Sequence, residues 1–414
     1  MAYALPDFVE VFPFSRQPEG NEVVIGRPEI GVFLALPAEA VEILDDLAAG
    51  RSVGAAQVSF ERAHHETPDV ADLLTFLESK GFVRKRGDET AQSLGPAASP
   101  KGSSPTDVRY HFTSIPETVA RRVFGHTSTS LYLLIIAAAA MLLARDPTLI
   151  PDGRSLYFSE HRTAKVLILF VFSLLSIFVH EFCHLLAARA AGVKSRIGIG
   201  NRLWILVAET DLTGLWAVPR KQRYLPILAG PISDGVFASL IVFLLYARSH
   251  GHLHLSSGTL EILRACLLLY LVRLLWQFFF FVRTDVYYLV ALFFGCKNLM
   301  KDTQRFIQNR LAYLFRDRSM EDQSHIPLAE MRVVKAYSIL WLLGRGLAFA
   351  SLFAFTLPAF SRYLRDLFVA LAHGSGSDPY GFVDTLVVSM ISLIPLVLGL
   401  SFWLASLLRK RSRT

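Results

Sequence analysis

Residues 166–179 read VLILFVFSLLSIFV, and residues 180–184 continue without a break as HEFCH. The run contains no charged residue and, with the motif, is long enough to cross a bilayer, since a spanning helix needs about 20 apolar residues. On a helix, positions four apart share a face. His180 and His184 can therefore turn both imidazoles toward one zinc ion, with Glu181 beside it to take a proton from water. A soluble metallopeptidase would carry this HExxH pattern on an amphipathic helix. Here it is set in hydrocarbon-like sequence. Cys183 lies between the two histidines but points away from their face, and it reads as a packing residue.

The rest of the chain agrees with a membrane setting. Of 414 residues, 52% are hydrophobic and only 19% charged, and the mean hydropathy is +0.40. That is too apolar for an ordinary soluble protein. Six candidate spans stand near 128–145, 164–190, 224–247, 260–282, 334–357 and 383–407. Lys and Arg concentrate in 191–223, in 296–335 and in the tail from Arg409. The alternate loops near 146–163, 248–259 and 358–382 carry few. The positive-inside rule then puts the basic segments and both termini in the cytoplasm, with HEFCH in the cytoplasmic half of the second span. Residues 1–60 are acidic and lack a basic segment followed by an apolar core, so no signal peptide is expected there. The three cysteines, Cys183, Cys266 and Cys296, form no disulfide or zinc spacing.

Residues 1–85 form a different unit. Short β-prone runs (VEVFPF, EVVI, GVFLAL) precede three helical patterns. Apolar spacing of three and four in Val41, Leu44 and Leu47, and in Val70, Leu73, Leu74 and Leu77, predicts helices closed by Gly50 and Gly81. Strands plus three helices suggest an α+β, winged-helix-like domain. The Gly-, Ser- and Pro-rich stretch 86–108 reads as flexible, and 86–119 as a linker. A winged helix invites a nucleic-acid reading, but residues 1–80 hold five Lys/Arg against fourteen Asp/Glu, a net charge of −9 with histidine neutral. Such a surface repels phosphates. Capture of a peptide by β-augmentation on an edge strand fits better.

A catalytic zinc needs a third protein ligand and an open position. Asp285, after WQFFFFVR at the cytoplasmic end of the fourth span, is the leading candidate, with Asp211 and Asp234 as competitors. The plainer reading of Asp285 is a helix-capping residue at the membrane surface. Asp234 lies in LAGPISDG, where Gly230, Pro231 and Gly235 break helix regularity and permit close approach. It could orient a zinc ligand, bond an extended substrate, or simply pair with Arg273. Segment 195–220 alternates apolar residues with turn formers and reads as a β-hairpin at the membrane surface, either holding a substrate strand or serving as a structural loop. His250, His252 and His254 in HGHLH lie in a predicted outer loop and read as solvated. His64 and His65 read as surface residues. The plainer account of the whole cluster is polar glue between helices, but ionisable groups inside a membrane are functional by default.

Together, HEFCH at 180–184, LAGPISD at 228–234 and RTDVYYLV at 283–290 resemble the site-2 protease family of intramembrane zinc metallopeptidases, over roughly residues 120–300. RTDVYYLV and TDLTGLWAVPRKQR at 210–223 are similar to a bacterial branch of peptide zinc metalloproteases associated with export or maturation of ribosomally made, modified peptides. The resemblance implies His180, His184 and Asp285 as zinc ligands and Glu181 as the base. Residues 20–84 resemble the PqqD-like leader-binding domain, or RiPP recognition element. The chain departs from the family at three places. Val286 stands where Gly usually follows the aspartate. Asn and Pro before that aspartate are absent, with Gln277 placed to stand in for Asn. Asp234 occupies a position that is often Asn.

The sequence thus predicts a polytopic α-helical membrane protein of about six transmembrane helices with an N-terminal α+β winged-helix-like domain. Residues 1–85 form that domain, 120–300 the metallopeptidase core, and 301–414 a cytoplasmic loop with two further spans. The expected cofactor is zinc, and the expected setting is a bacterial cytoplasmic membrane. The expected partners are the lipid bilayer and a peptide or protein substrate, with a leader peptide as one form, and no nucleic acid. Three functions compete: a maturation protease, a regulatory protease acting on a membrane-anchored regulator, and a non-catalytic peptide-binding, immunity or export accessory protein. The intact HExxH motif argues against the third.

Overall fold

The computed structural model describes residues 3–20, 22–86, 111–156, 162–202, 205–296, 298–314, 321–324, 326–374 and 379–411. Most of the stretch read as a linker, 87–110, lies outside the described residues. The chain divides into two compact units. The first is Met1–Glu117 with Ala188–Arg196 and Asp211–Arg223, and the second is Thr118–Ala187, Ile197–Thr210 and Tyr224–Thr414.

In the first unit, β1 (Val9–Val11), β2 (Ser15–Glu19), β3 (Glu22–Arg27) and β4 (Val32–Pro37) precede α1 (Ala38–Ala48), α2 (Val53–His64), α3 (Val70–Ser79) and β5 (Val83–Lys85). Strands β2, β3 and β4 form an antiparallel sheet with β3 in the middle, and β1 pairs with β5. Gly50 and Gly81 end α1 and α3 in left-handed backbone at φ +86° and +78°. In each case the following residue reaches back into the last turn: Arg51 N–H to the Asp46 carbonyl at 3.2 Å, and Phe82 N–H to the Leu77 carbonyl at 2.9 Å. This is the Schellman closure that the glycines predict. Ser52 and Asp69 cap the first turns of α2 and α3. The periodic residues Val41, Leu44, Leu47, Val70, Leu74 and Leu77 are buried around Ile25 and Phe82.

This unit is larger than residues 1–85. A 3-10 turn, Thr213–Ala217, packs against β2, β3 and β4. Beyond it Arg223 is 3% exposed, and a guanidinium that deep requires partners. It pairs with the Glu19 carboxylate of β2. It also donates to the carbonyls of Val218 and Trp216 at 2.9 and 3.2 Å and lies over the Trp216 ring. Glu19 and Arg223 are 204 positions apart, so no local pattern announces the pairing.

The second unit is helical, with one strand pair. Its elements are α4 (Glu117–Val123), α5 (His126–Arg145), α6 (Arg162–Ala190), β6 (Arg196–Arg202), β7 (Ile205–Asp211), α7 (Arg220–Ser249), α8 (Ser257–Trp276), α9 (Asp285–Phe294), α10 (Leu299–Leu314), α11 (Leu328–Ser351), α12 (Leu357–His373) and α13 (Pro379–Arg411). Strands β6 and β7 pair, as the alternating pattern of 195–220 predicts. Among the described residues five helices are long and apolar enough to cross a membrane: Glu117–Arg145, Thr163–Ala190, Arg220–Ser249, Leu328–Ala354 and Pro379–Ala405. The chain is built as a membrane protein. Helix α6 shows how: Leu167, Ile168, Val171, Leu174, Leu175 and Phe178 are exposed on one side, while Leu169, Ser176, His180 and His184 are buried on the other. Helix α7 is the most buried of the five and sits in the core with residues of α5, α6 and α8.

Two segments differ from the sequence reading. Helix α8 is not among the five, because it carries three charged residues, Glu261, Arg264 and Arg273, within its 20 residues. Two of those charges are matched inside the unit, Glu261 by Lys165 at 2.7 Å and Arg273 by Asp234 at 2.6 Å. The predicted outer loop 358–382 is mostly helix α12, joined to α11 through a π-helical turn, Leu352–Thr356. Its sequence, LPAFSRYLRDLFVALAH, has a helical rather than a loop pattern: Pro358 falls in the first turn, where a helix tolerates it, and no Gly or further Pro intervenes before Gly374.

Candidate metal centre

Helix α6 carries His180, Glu181 and His184, all buried, with metal-binding atoms within 4.8 Å of one another. Asp285 joins them from the first turn of α9. Its Oδ2 stands 3.2 Å from His180 Nε2 and 3.4 Å from His184 Nε2, and the two Nε2 atoms are 3.2 Å apart. Tetrahedral zinc with bonds of about 2.0–2.1 Å separates its ligand atoms by about 3.3–3.4 Å. The three donors therefore form one face of such a tetrahedron. His180 and His184 are 7% and 2% exposed at the side chain and Asp285 is 22% exposed, so the open side lies toward the carboxylate.

The other ring nitrogens are occupied. His180 Nδ1–H donates to Asp234 Oδ2 at 2.8 Å, and His184 Nδ1–H donates to the Pro226 carbonyl at 2.7 Å. Both bonds fix the tautomer that turns an Nε2 lone pair toward the centre, the usual support of metal-binding histidines. Asp234 does two jobs that the sequence left as alternatives. Its second oxygen, Oδ1, accepts from Arg273 at 2.6 Å, and Arg273 also donates to Ser176 Oγ at 3.2 Å. In their ionised forms Glu181, Asp234, Asp285 and Arg273 sum to −2 with neutral imidazoles, a charge that one divalent cation balances.

Asp285 is held from α8's end. Gln277 Nε2 donates to Asp285 Oδ2 at 2.9 Å, and the Asp285 N–H donates to Gln277 Oε1 at 3.1 Å. Thr284 caps α9 by accepting the Tyr287 N–H at 3.2 Å and donates its own hydroxyl to the Gln277 carbonyl at 2.7 Å. Gln277 thus meets Asp285 through both ends of its amide group. Val286 lies beyond the ligand-bearing position, in the first turn of α9, and none of these bonds requires glycine there.

Helix α7 contributes an absence. Gly230 faces the imidazoles, and a β-carbon there would lie 2.5 Å from His180 Nε2 and closer still to His184 Nε2. Its missing side chain leaves open the space that an ion would fill. Pro231 follows within the helix, and Pro226 one turn earlier supplies the carbonyl to His184. Replacing Gly230 with alanine should put a methyl group in the ion's place. Metal analysis of Gly230→Ala should find zinc reduced by at least about tenfold, since supporting substitutions near a metal cost 10–100-fold in affinity. Wild-type zinc content in that variant would refute the close approach.

Asp211 and His250 are bonded elsewhere. Asp211 is in the first unit and takes part in none of the site's hydrogen bonds among the described residues. Its Oδ2 accepts from Arg196 at 3.1 Å, and its Oδ1 accepts from the Thr213 N–H and hydroxyl at 3.1 and 2.6 Å. Partial burial pushes its pKa up, but the bonds from Thr213 and Arg196 outweigh that and the net shift is down. It is a turn residue. Thr210, its neighbour on β7, is the one that reaches the site. The Thr210 hydroxyl lies 2.8 Å from Glu181 Oε2 and 2.9 Å from the Glu181 carbonyl. Strand alternation separates Thr210 from Asp211, and a period-two reading of 205–211 could have put the two on opposite faces. His250 bonds within its own helix end, to Tyr246 and Ser249, and has no link to the centre among the described residues.

No protein-family model, no curated protein and no solved structure matches this chain.

Proposed function

We propose that the chain is an intramembrane zinc metalloendopeptidase that matures a peptide or membrane-associated precursor recruited by its N-terminal domain. The observation that carries this reading is the triangle of 3.2, 3.2 and 3.4 Å among His180 Nε2, His184 Nε2 and Asp285 Oδ2, with Glu181 adjacent on the same helix. The resemblance of HEFCH, LAGPISD and RTDVYYLV to site-2 proteases supports it. His180, His184 and Asp285 would hold the ion. When bound, zinc acidifies a water toward neutrality and polarises a peptide carbonyl.

The chain's own groups supply the rest. Glu181 takes the proton from the attacking water and passes it to the leaving amine. Asp234 and the Pro226 carbonyl keep both imidazoles in the required tautomer, and Gln277 keeps Asp285 from turning away. A substrate helix must unwind before its peptide bonds are reachable. The paired strands β6 and β7 offer an edge on which an extended segment could lie.

Helix α8 counts as a sixth span in this reading. Its 20 residues rise about 30 Å, the thickness of the hydrocarbon layer, and Lys165 and Asp234 neutralise two of its three charges. Both termini and the metal centre belong on the cytoplasmic side of a bacterial membrane, by the distribution of Lys and Arg. In the N-terminal domain, read as PqqD-like and winged-helix-like, β2 and β4 are the sheet edges. An added peptide strand would bond to one of them. The reading is tested with short precursor peptides encoded beside this gene and the detergent-solubilised full chain. At least one should bind and be cleaved, with cleavage lost on chelation and restored by zinc. Failure of all of them to bind would remove the maturation reading.

A further inference from the structure

One polar partner of the candidate base has no part in the chemistry above. Glu181 follows His180 by a single residue, about 100° around the helix. The helix alone therefore does not deliver its carboxylate to the face where His180 and His184 converge. A glutamate side chain also has three rotatable bonds, and leaving it unheld would spread the carboxylate over many positions. The contact that restricts it comes from β7. Thr210 is β-branched, so its first torsion is stiff and its hydroxyl is held in place by the strand. That hydroxyl is within reach of Glu181 Oε2 at 2.8 Å and of the Glu181 carbonyl at 2.9 Å. It has one proton to give, and an ionised carboxylate is the stronger acceptor.

We propose that Thr210 is a positioning residue: its hydroxyl holds Glu181 Oε2 and leaves Oε1 to exchange the proton. This rests on the reading of Glu181 as the base. The alternative is that Thr210 only ties the strand to α6 through the Glu181 carbonyl. The two differ in what the carboxylate does when the hydroxyl is removed and the shape kept.

The test uses the zinc-loaded full chain in detergent and a peptide hydroxamate as probe. A hydroxamate chelates zinc through its two oxygens and gives its proton to the neighbouring carboxylate, so its affinity reads where that carboxylate sits without any substrate. Thr210→Val should weaken hydroxamate binding by about tenfold to a hundredfold, the range for a hydrogen bond to a charged group. Thr210→Ser, which keeps the donor, should stay within about twofold of wild type, and both variants should retain wild-type zinc per chain. Glu181→Gln should weaken binding at least as much as Thr210→Val. If Glu181→Gln weakens binding and Thr210→Val does not, the positioning role is wrong. It is also wrong if serine fails to restore affinity, or if the valine variant loses zinc. If Glu181→Gln binds like wild type, the base assignment fails, and if zinc-loaded wild type ignores the hydroxamate, the metal-centre reading fails.

Discussion

Glu181→Gln should cut peptide-bond cleavage by between about a hundredfold and ten-thousandfold, the usual worth of a positioned general base. The substitution keeps the size and shape of the side chain and removes only its ability to accept a proton. Thr210 can still donate to the amide oxygen, so local packing at β7 is preserved. The proposed ligand atoms, His180 Nε2, His184 Nε2 and Asp285 Oδ2, are untouched, and zinc per chain should stay at the wild-type value. Cleavage of a precursor peptide, measured beside metal analysis of the same samples, separates the two effects. Unchanged cleavage in this variant would sink the catalytic reading outright. Lost cleavage together with lost zinc would mean that Glu181 supports the metal rather than the proton.

Asp285→Ala should be the variant that empties the centre. It removes one of three donors and leaves the Gln277 amide, buried at 6% exposure, without its carboxylate partner. Supporting residues such as Asp234 and Gln277 should cost about 10–100-fold in zinc affinity when replaced by alanine, and Asp285 should cost more than either. Competition with a chelator of known strength gives the order directly. Asp285→Ala with wild-type affinity would leave only His180 and His184 as protein donors and overturn the triangle. Asp234→Ala has a second expected consequence, because Arg273 would then lose its carboxylate partner inside the membrane unit. Replacing both by apolar residues should recover part of the lost stability, since an unpaired buried charge costs more than an absent pair.

The sequence told most where a repeat or a cap carried the signal. The apolar run of α6, the Gly50 and Gly81 closures and the paired strands after HEFCH all follow from local chemistry acting within a few residues, whereas which side of α6 is buried does not. Asp285 drew attention by its place after WQFFFFVR, at the end of the fourth span assigned to the same side as HEFCH, and its Oδ2 lies 3.2 and 3.4 Å from the two histidines. Helix α8 was read correctly as an element, but its charges only make sense once Lys165 and Asp234 are seen beside them. Asp234 was read as having alternative roles because one carboxylate's two oxygens cannot be assigned from a string of letters. Asp211 was considered and Thr210 was not, because acidity draws attention and a hydroxyl does not, yet the hydroxyl is the group bonded to Glu181. The clasp of Arg223 on Glu19 was out of reach, as it depends on two segments brought together by folding.

Gly230 alters how the motif itself should be read in other chains. A histidine pair four residues apart on an apolar helix can be held by protein partners alone, as the Nδ1 atoms are here by Asp234 and the Pro226 carbonyl, so HExxH does not by itself mark an ion site. The residue opposite, on α7, has no such second use. A chain that retains both histidines but carries alanine or anything larger at the Gly230 position would have a plug where the ion belongs. In sorting working centres from relics, that single missing methyl group is the sharper diagnostic.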